Sequence, residues 1–390
     1  MPKSAKESLA GVLRFLYTDL RPLDFILGAL IVIRDTSPIH TPVLPSDLAM
    51  AGIILIGLSR NPTRQLRSAE TIIAAYIPLA FYLYIVSSDI GTPAIIRLSR
   101  ITAMIVAAIV ISSGQIHIKS LLAGIFSTIV INIPLFYLGI APASYEGSLT
   151  GFLGDKNLAG AIMACYFIIL LSIFPKKIQI LLSPVFLFTI YLTNSRTSIS
   201  AFLAAITWLL LRRFMTNVPL KIFGIFIGYT TLNYATENFA HEGDFESHAG
   251  SDILRARIDA ATEAKNSIAP WHGTGLTTAQ VELEGRNWFF HNSYRGLFQE
   301  GGWPFLIIFL LFIAIFCLSL FKSGPSTGLP LYTEAATIAL LVCSWRLGEV
   351  FLSTPFCVLY GLALHGYTSP LATKNVYEQS PQKTLRSNTH

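Results

Sequence analysis

Apolar runs of membrane-spanning length recur along almost the whole chain, and no other feature limits its fold as much. Crossing a bilayer takes roughly 17–25 predominantly apolar residues. Segments near that length lie at 14–34, 44–60, 69–88, 97–114, 118–140, 156–174, 178–194, 196–213, 218–236, 303–321, 330–347 and 349–368. The first two are the weakest, because "PLDFILGALIVI" is short and polar residues interrupt "LPSDLAMAGIILIGLS". These runs predict an all-α integral membrane protein with about twelve transmembrane helices. Composition agrees: of 390 residues, 53% are hydrophobic and 13% charged, with mean hydropathy +0.57. Ordinary soluble domains carry roughly 25% charged residues.

The net charge of +6 would suggest nucleic acid in a soluble protein, but no basic face with interleaved aromatics is present, and nucleic-acid binding is set aside. The cations fall instead in alternate connections: Lys3, Lys6, Arg60, Arg64, Arg67, Lys119, Lys176, Lys177, Arg212, Arg213, Lys221 and Lys322, then Lys374, Lys383 and Arg386 in the tail. The positive-inside bias makes these cytoplasmic, together with both termini. The intervening connections "DTSPIHTPVLPSD", "SSDIGTPA" and "APASYEGSLTGFLGD" then lie on the other side. The chain divides into helices over 1–236, a long polar loop over 237–302, three further helices over 303–368, and a cytoplasmic, mobile tail over 369–390. No compact apolar core with a small-residue cleavage site follows the basic N-terminus, so the first segment is expected to stay in place. Cys165, Cys317, Cys343 and Cys357 all lie in apolar runs without a CxxC pair and read as buried small hydrophobes.

Loops longer than about 12–15 residues are usually functional or disordered. The 237–302 loop holds an amphipathic stretch, "SDILRARIDAATEAKNSI". The expectation is a helix capped by Ser251 or Asp252, with Ile253, Ile258 and Ala261 on one face. The turn "APWHGTGL" follows, where Gly273 and Gly275 allow a tight backbone path.

Polar groups at the outer mouths of helices are the candidates for chemistry. "TNSRTS" sets Arg196 at a helix start, with Asn194 and Ser195 as caps. The partial positive charge of a helix N-terminus plus a guanidinium makes an anion site suited to phosphate. The competing reading is an arginine reaching to the interface. "GFLGDKNLAG" repeats the arrangement with Asp155, Lys156 and Asn157, where a plain helix cap competes equally well. Arg255 and Arg257 are two apart on the predicted loop helix, so only one faces a site. His291 stands just before a membrane helix in "NWFFHNSYRGLFQEGGWPF". An imidazole there can serve as a general base near neutral pH, or as a structural hydrogen-bonded histidine. Arg346 and Glu349, three apart in "CSWRLGEVFL", are expected to pair on one helical face. No HExxH, GxSxG or P-loop motif occurs, and the histidines do not cluster at metal-ligand spacing.

Together, "HNSYRGLFQEGGWPF", "TNSRTS", "GDKNLAG" and a loop arginine ahead of "PWHGTG" resemble the O-antigen ligase and O-antigen polymerase superfamily of bacterial integral membrane glycosyltransferases. The likeness covers about residues 150–315 and reaches the flanking helices by topology alone. Its most specific piece is His291–Asn292 followed by Gly302. Phe305, where the family often has a hydroxyl residue, departs from it. The resemblance implies inverting, metal-independent glycan transfer at the periplasmic face of the inner membrane, with no cofactor. The donor is an undecaprenyl-diphosphate-linked glycan. The acceptor is lipid A core for a ligase, or the growing glycan for an O-antigen or exopolysaccharide polymerase. By the same resemblance, His291 corresponds to the base, Arg196 to the membrane arginine holding diphosphate, and Arg257, in preference to Arg255, to the loop arginine. Asn157, Lys156, Ser195, Asn292 and Gly275 would support substrate binding. One dominant outer loop favours the ligase over the polymerase. A transporter or flippase is the third reading; it predicts ionisable groups at mid-membrane in paired halves, a pattern not seen in this sequence.

Overall fold

The computed structural model describes residues 17–36, 43–66, 69–145, 147–225, 249–322, 324 and 326–370. Its helices in chain order are α1 (Pro22–Ile31), α2 (Pro45–Leu58), α3 (Ala69–Val86), α4 (Thr92–Ser112), α5 (Ile118–Tyr137), α6 (Lys156–Leu171), α7 (Lys176–Tyr191), α8 (Arg196–Leu211), α9 (Ala249–Ser267), α10 (Ser293–Phe312), α11 (Leu329–Arg346) and α12 (Cys357–His365). Residues 218–225 are also helical. The rest of the 218–236 segment, the start of the long loop and the tail beyond 370 lie outside the described residues. Ser251 and Asp252, expected to cap the loop helix, fall inside α9, which begins two residues earlier at Ala249.

Among the described residues, five stretches are long and apolar enough to cross a membrane: α3, α4, α5, Arg196–Phe214 and Ser293–Cys317. The remaining apolar segments expected to span are shorter or more polar. The ten residues of α1 rise about 15 Å against a hydrocarbon core of about 30 Å. Helix α11 carries Thr333, Glu334 and Thr337 inside it, all buried. Helix α6 is apolar all round and is buried from Ala159 to Leu171, as a central helix should be. It packs on α11 and α8. Helices α1 and α5 meet through glycine: a Cβ at Gly28 would lie 2.0 Å from the Leu121 carbonyl oxygen, and one at Gly124 2.0 Å from that of Phe25. Small residues at such a contact let two backbones approach closely.

The connections sort into two ends. At one, Arg60 reaches Asp24 and the Gln115 carbonyl, and Arg212 pairs with Glu334. A two-stranded ribbon also lies there, β1 (Arg64–Leu66) against β4 (Thr368–Pro370). Ser369 and Pro370 therefore belong to a strand, which moves the start of the expected tail. The opposite end gathers the connections after α1, α3, α5, α7 and α11. The Arg34 amide donates to the Phe152 carbonyl, Thr354 to Asp47, and the Leu276 amide to Ser87 Oγ.

The long loop forms a small unit on this second end. Helix α9 packs on a hairpin, β2 (Gln280–Leu283) and β3 (Arg286–Phe289). The two-residue turn Glu284–Gly285 has both φ values positive, at 56° and 74°, the backbone that matches strand twist in a tight hairpin. Ile258, Ala279, Val281 and Phe290 form a core of its own, with Leu254 and Ala261 against it. Ile253, expected on that face, is 64% exposed, because the buried face runs 254, 258, 261. The two ribbons also depart from an all-α expectation.

Candidate functional site

The mouth of α10 is fixed by its first residues. Asn292 caps the helix by accepting from the Arg295 amide at 3.0 Å, and its Nδ2 donates to the Trp345 carbonyl at 3.1 Å. Ser293 Oγ donates to the Leu347 carbonyl and accepts from the Val350 amide. Gly348 presses on the Phe290 carbonyl, where a Cβ would come within 1.9 Å. His291 sits between these anchors. Its Nδ1 is buried and has no hydrogen-bond partner among the described residues. Burial pulls its pKa below 6.5, the nearby Arg255 guanidinium pulls it further, and Asp259 opposes them. Glu263, one turn beyond Asp259, stands 3.7 Å from Arg295. Helix α9 thus carries Arg255, Asp259 and Glu263 at helical spacing toward the α10 mouth.

Arg257 points elsewhere. It pairs with Glu284 at 2.6 Å on the hairpin turn, with both side chains exposed, so the loop arginine nearest His291 is Arg255. Replacing Arg255 with Ala is expected to raise the His291 pKa, because a cation beside the imidazole is removed. Arg257→Ala leaves it unchanged. Histidine resonances followed by NMR across pH check both.

Helices α6 and α8 begin side by side. Asp155 caps α6, accepting from the Asn157 and Leu158 amides. Ser195 Oγ lies 3.5 Å from Asn157 Oδ1 and 2.8 Å from Ser198 Oγ. Ser195 occupies the cap position of α8 but makes no side-chain cap bond. Asn194 takes a left-handed conformation, φ 53°, with Nδ2 on the Gly147 carbonyl. Lys156 Nζ stands over the Tyr145 ring. Arg196, the first residue of α8, shares this end with His291 through α11: Ser198 touches Cys343, and two residues on, the Trp345 carbonyl holds Asn292.

Gly275 has a packing role. Its φ is +100°, and a Cβ there would clash with Ile90 and approach the Val86 carbonyl at the end of α3. The glycines of "WHGTG" and "EGGW" fit one another. Gly302, at φ +62°, breaks α10 into two helices, and a Cβ on it would lie 2.0 Å from the Trp271 carbonyl oxygen. A Gly302→Ala protein is expected to lose more than about 1 kcal/mol, since the left-handed backbone and the contact both oppose a side chain. A lowered midpoint of thermal unfolding in detergent would show it.

Sequence reasoning missed a second charged group at this end. Arg97, one turn into α4, bonds Glu300 at 2.8 Å and Glu349 at 2.9 Å. The expected Arg346–Glu349 pair is not formed. Helix α11 stops at Arg346, Leu347 is extended, and Glu349 is left-handed at φ 55°, so the helical spacing does not apply. Arg34 stands beside, with Nη1 donating to Ser46 Oγ and lying 3.8 Å from Asp47, which also pairs with Arg100. Burial lowers the Arg34 pKa, and its Nε has no partner among the described residues. The available signal was "IIRLSR", two arginines inside an apolar run, which in a membrane helix mark function or a buried partner. A cavity of about 20 Å³, room for about one water, lies between Arg97, Glu349 and Asn292. Among the described residues, no three His, Cys, Asp or Glu side chains stand together as a metal site. No protein-family model, curated protein or solved structure matches this chain.

Proposed function

We propose that this chain is an inner-membrane glycosyltransferase of the O-antigen ligase and polymerase type, working at the periplasmic face. The observation that carries the reading is His291: a half-buried imidazole held neutral, its Nδ1 unpartnered, between an arginine-bearing loop helix and the mouth of a broken apolar helix. Several arginines share this end, and five helices suit a bilayer.

In the proposed reaction His291 takes the proton of an acceptor hydroxyl as its oxygen attacks the anomeric carbon. The bond from that carbon to the diphosphate breaks, and the diphosphate leaves on its polyprenyl carrier. Guanidinium groups stabilise charge growing on the leaving oxygens. Arg255 and Arg196 are assigned that role, with Asn157 and Ser195 supporting the α8 mouth. Inversion follows from a single displacement. An amphiphilic donor presents its diphosphate where apolar helices meet a polar loop, which accounts for the position of His291.

The test uses purified protein with polyprenyl-diphosphate-linked glycan at neutral pH in chelator, with and without lipid A core. Glycan on the core supports the ligase; lengthened carrier-linked glycan supports the polymerase. No product from authentic substrates and folded protein removes the enzyme reading. Arg196→Lys is expected to weaken donor binding by about tenfold or more, because the ammonium lacks the planar fork that matches phosphate. Titration with polyprenyl diphosphate measures it.

A further inference from the structure

The turn between α9 and β2 exposes apolar side chains that a loop in water would bury. Ile268 is 83% exposed and Trp271 65%. The turn is firmly held. The Trp303 amide donates to the Trp271 carbonyl at 2.9 Å, and Tyr82 Oη donates to the His272 carbonyl at 2.8 Å and to that of Gly301 at 3.2 Å. Gly273 and Gly302 pack backbone on backbone beneath it. An indole fixed in the open at this cost in exposed apolar area needs a covering medium.

Its surroundings identify that medium. Trp303, Ile307 and Leu311 form an exposed row at helical spacing down α10, and Ile73, Ile77, Phe81 and Ile85 form another down α3. Both rows belong to helices long and apolar enough to span a bilayer. Trp271 stands where the two rows end. Tyr82 lies four residues before Val86, the last residue of α3, so the turn sits about 6 Å inside the end of that helix. That is the depth at which tryptophan, apolar in body with one N–H donor, is enriched in membrane proteins.

We infer that the Ile268–Trp271 turn is a lipid anchor that seats the 249–292 unit in the headgroup layer of the bilayer, holding His291 at the water–lipid boundary. The partner is the lipid surface itself, and the inference stands whether or not His291 is a base. It is tested with the full chain in phosphatidylcholine vesicles containing lipid dibrominated near the top of the acyl chain. Emission from Trp271 is taken as the difference between the natural chain and W271F. Quenching of that component by the brominated lipid, with little effect of aqueous iodide, is expected. Quenching by iodide alone overturns the proposal, and so does quenching by neither, which would mean that protein covers the turn. A nitroxide on I268C gives a second reading. Greater accessibility to oxygen than to an aqueous nickel chelate supports the anchor, and the reverse order overturns it.

Discussion

His291→Ala is expected to fold and insert normally and to lose glycan transfer by about 10²–10⁴-fold, the range contributed by a positioned general base. Retention of structure follows from how the mouth of α10 is held. Asn292, Ser293, Phe290 and Gly348 make its anchoring contacts, while His291 Nδ1 has no hydrogen-bond partner to lose. A structural histidine would behave the other way, with activity falling only as far as stability does. The pH dependence separates the two further. Burial and Arg255 keep the imidazole pKa below 6.5, so the imidazole stays deprotonated at neutral pH and, for the proposed role as base, the acid limb of kcat/KM should lie below pH 6.5. Stability carries the same sign. The unfolded chain binds a proton at His291 before the folded one does, so this contribution is complete above about pH 6.5 and is lost as pH falls through the folded value. His291→Ala should therefore unfold with less acid sensitivity than the natural chain. Full turnover by the folded variant, with an unmoved acid limb, would remove His291 as the base.

Much of this architecture was legible from hydrophobic pattern alone. Long apolar runs gave α3, α4, α5, α8 and the apolar half of α10, because the length of an apolar segment is a local property. The helical nature of "SDILRARIDAATEAKNSI" was local too, but its buried face was not. Ile253 and Ile258 look equivalent in sequence, and the position of the β2–β3 hairpin decides which one is covered. The hairpin itself was signalled by Glu284–Gly285, a turn dipeptide obscured by the polar residues around it. Pairing between distant segments could not be read. Glu349 is three residues from Arg346 and 252 from Arg97, yet it bonds Arg97, because α11 ends at Arg346 and the chain turns left-handed at residue 349. The choice between Arg255 and Arg257 likewise depended on Glu284, which captures one of them. In the candidate site, the residue types and their shared end were legible; their partners were set by contacts across the bundle.

Glu300 carries the second large effect. Its side chain is fully buried. It accepts from Arg97 Nε and, at 2.9 Å, from the Thr277 amide, while the Glu300 carbonyl accepts from the Gly275 amide. One residue thus joins α4, the broken helix and the "WHGTGLT" turn. Glu300→Ala is expected to cost up to about 3 kcal/mol, the low end of the range for removing one member of a buried ion pair, because Arg97 is not left without a carboxylate. Glu349, half-exposed, is left as the partner of Arg97. Glu300→Gln should cost less, because an amide oxygen still accepts from Thr277. Arg97→Ala should cost the most, since two carboxylates then face each other with no shared cation. Joint replacement of Arg97 and Glu300 by leucine should be milder than the sum of the single losses, because no lone charge is left buried between that pair. Thermal unfolding in detergent ranks the four variants. Hydrogen exchange at the Leu276 and Thr277 amides separates a local from a global effect. If the clamp is what Glu300 supplies, these amides exchange faster in Glu300→Ala under conditions where α6 and α12 remain protected. Uniform acceleration across all helices would mean that the pair stabilises the bundle as a whole and has no particular hold on the loop.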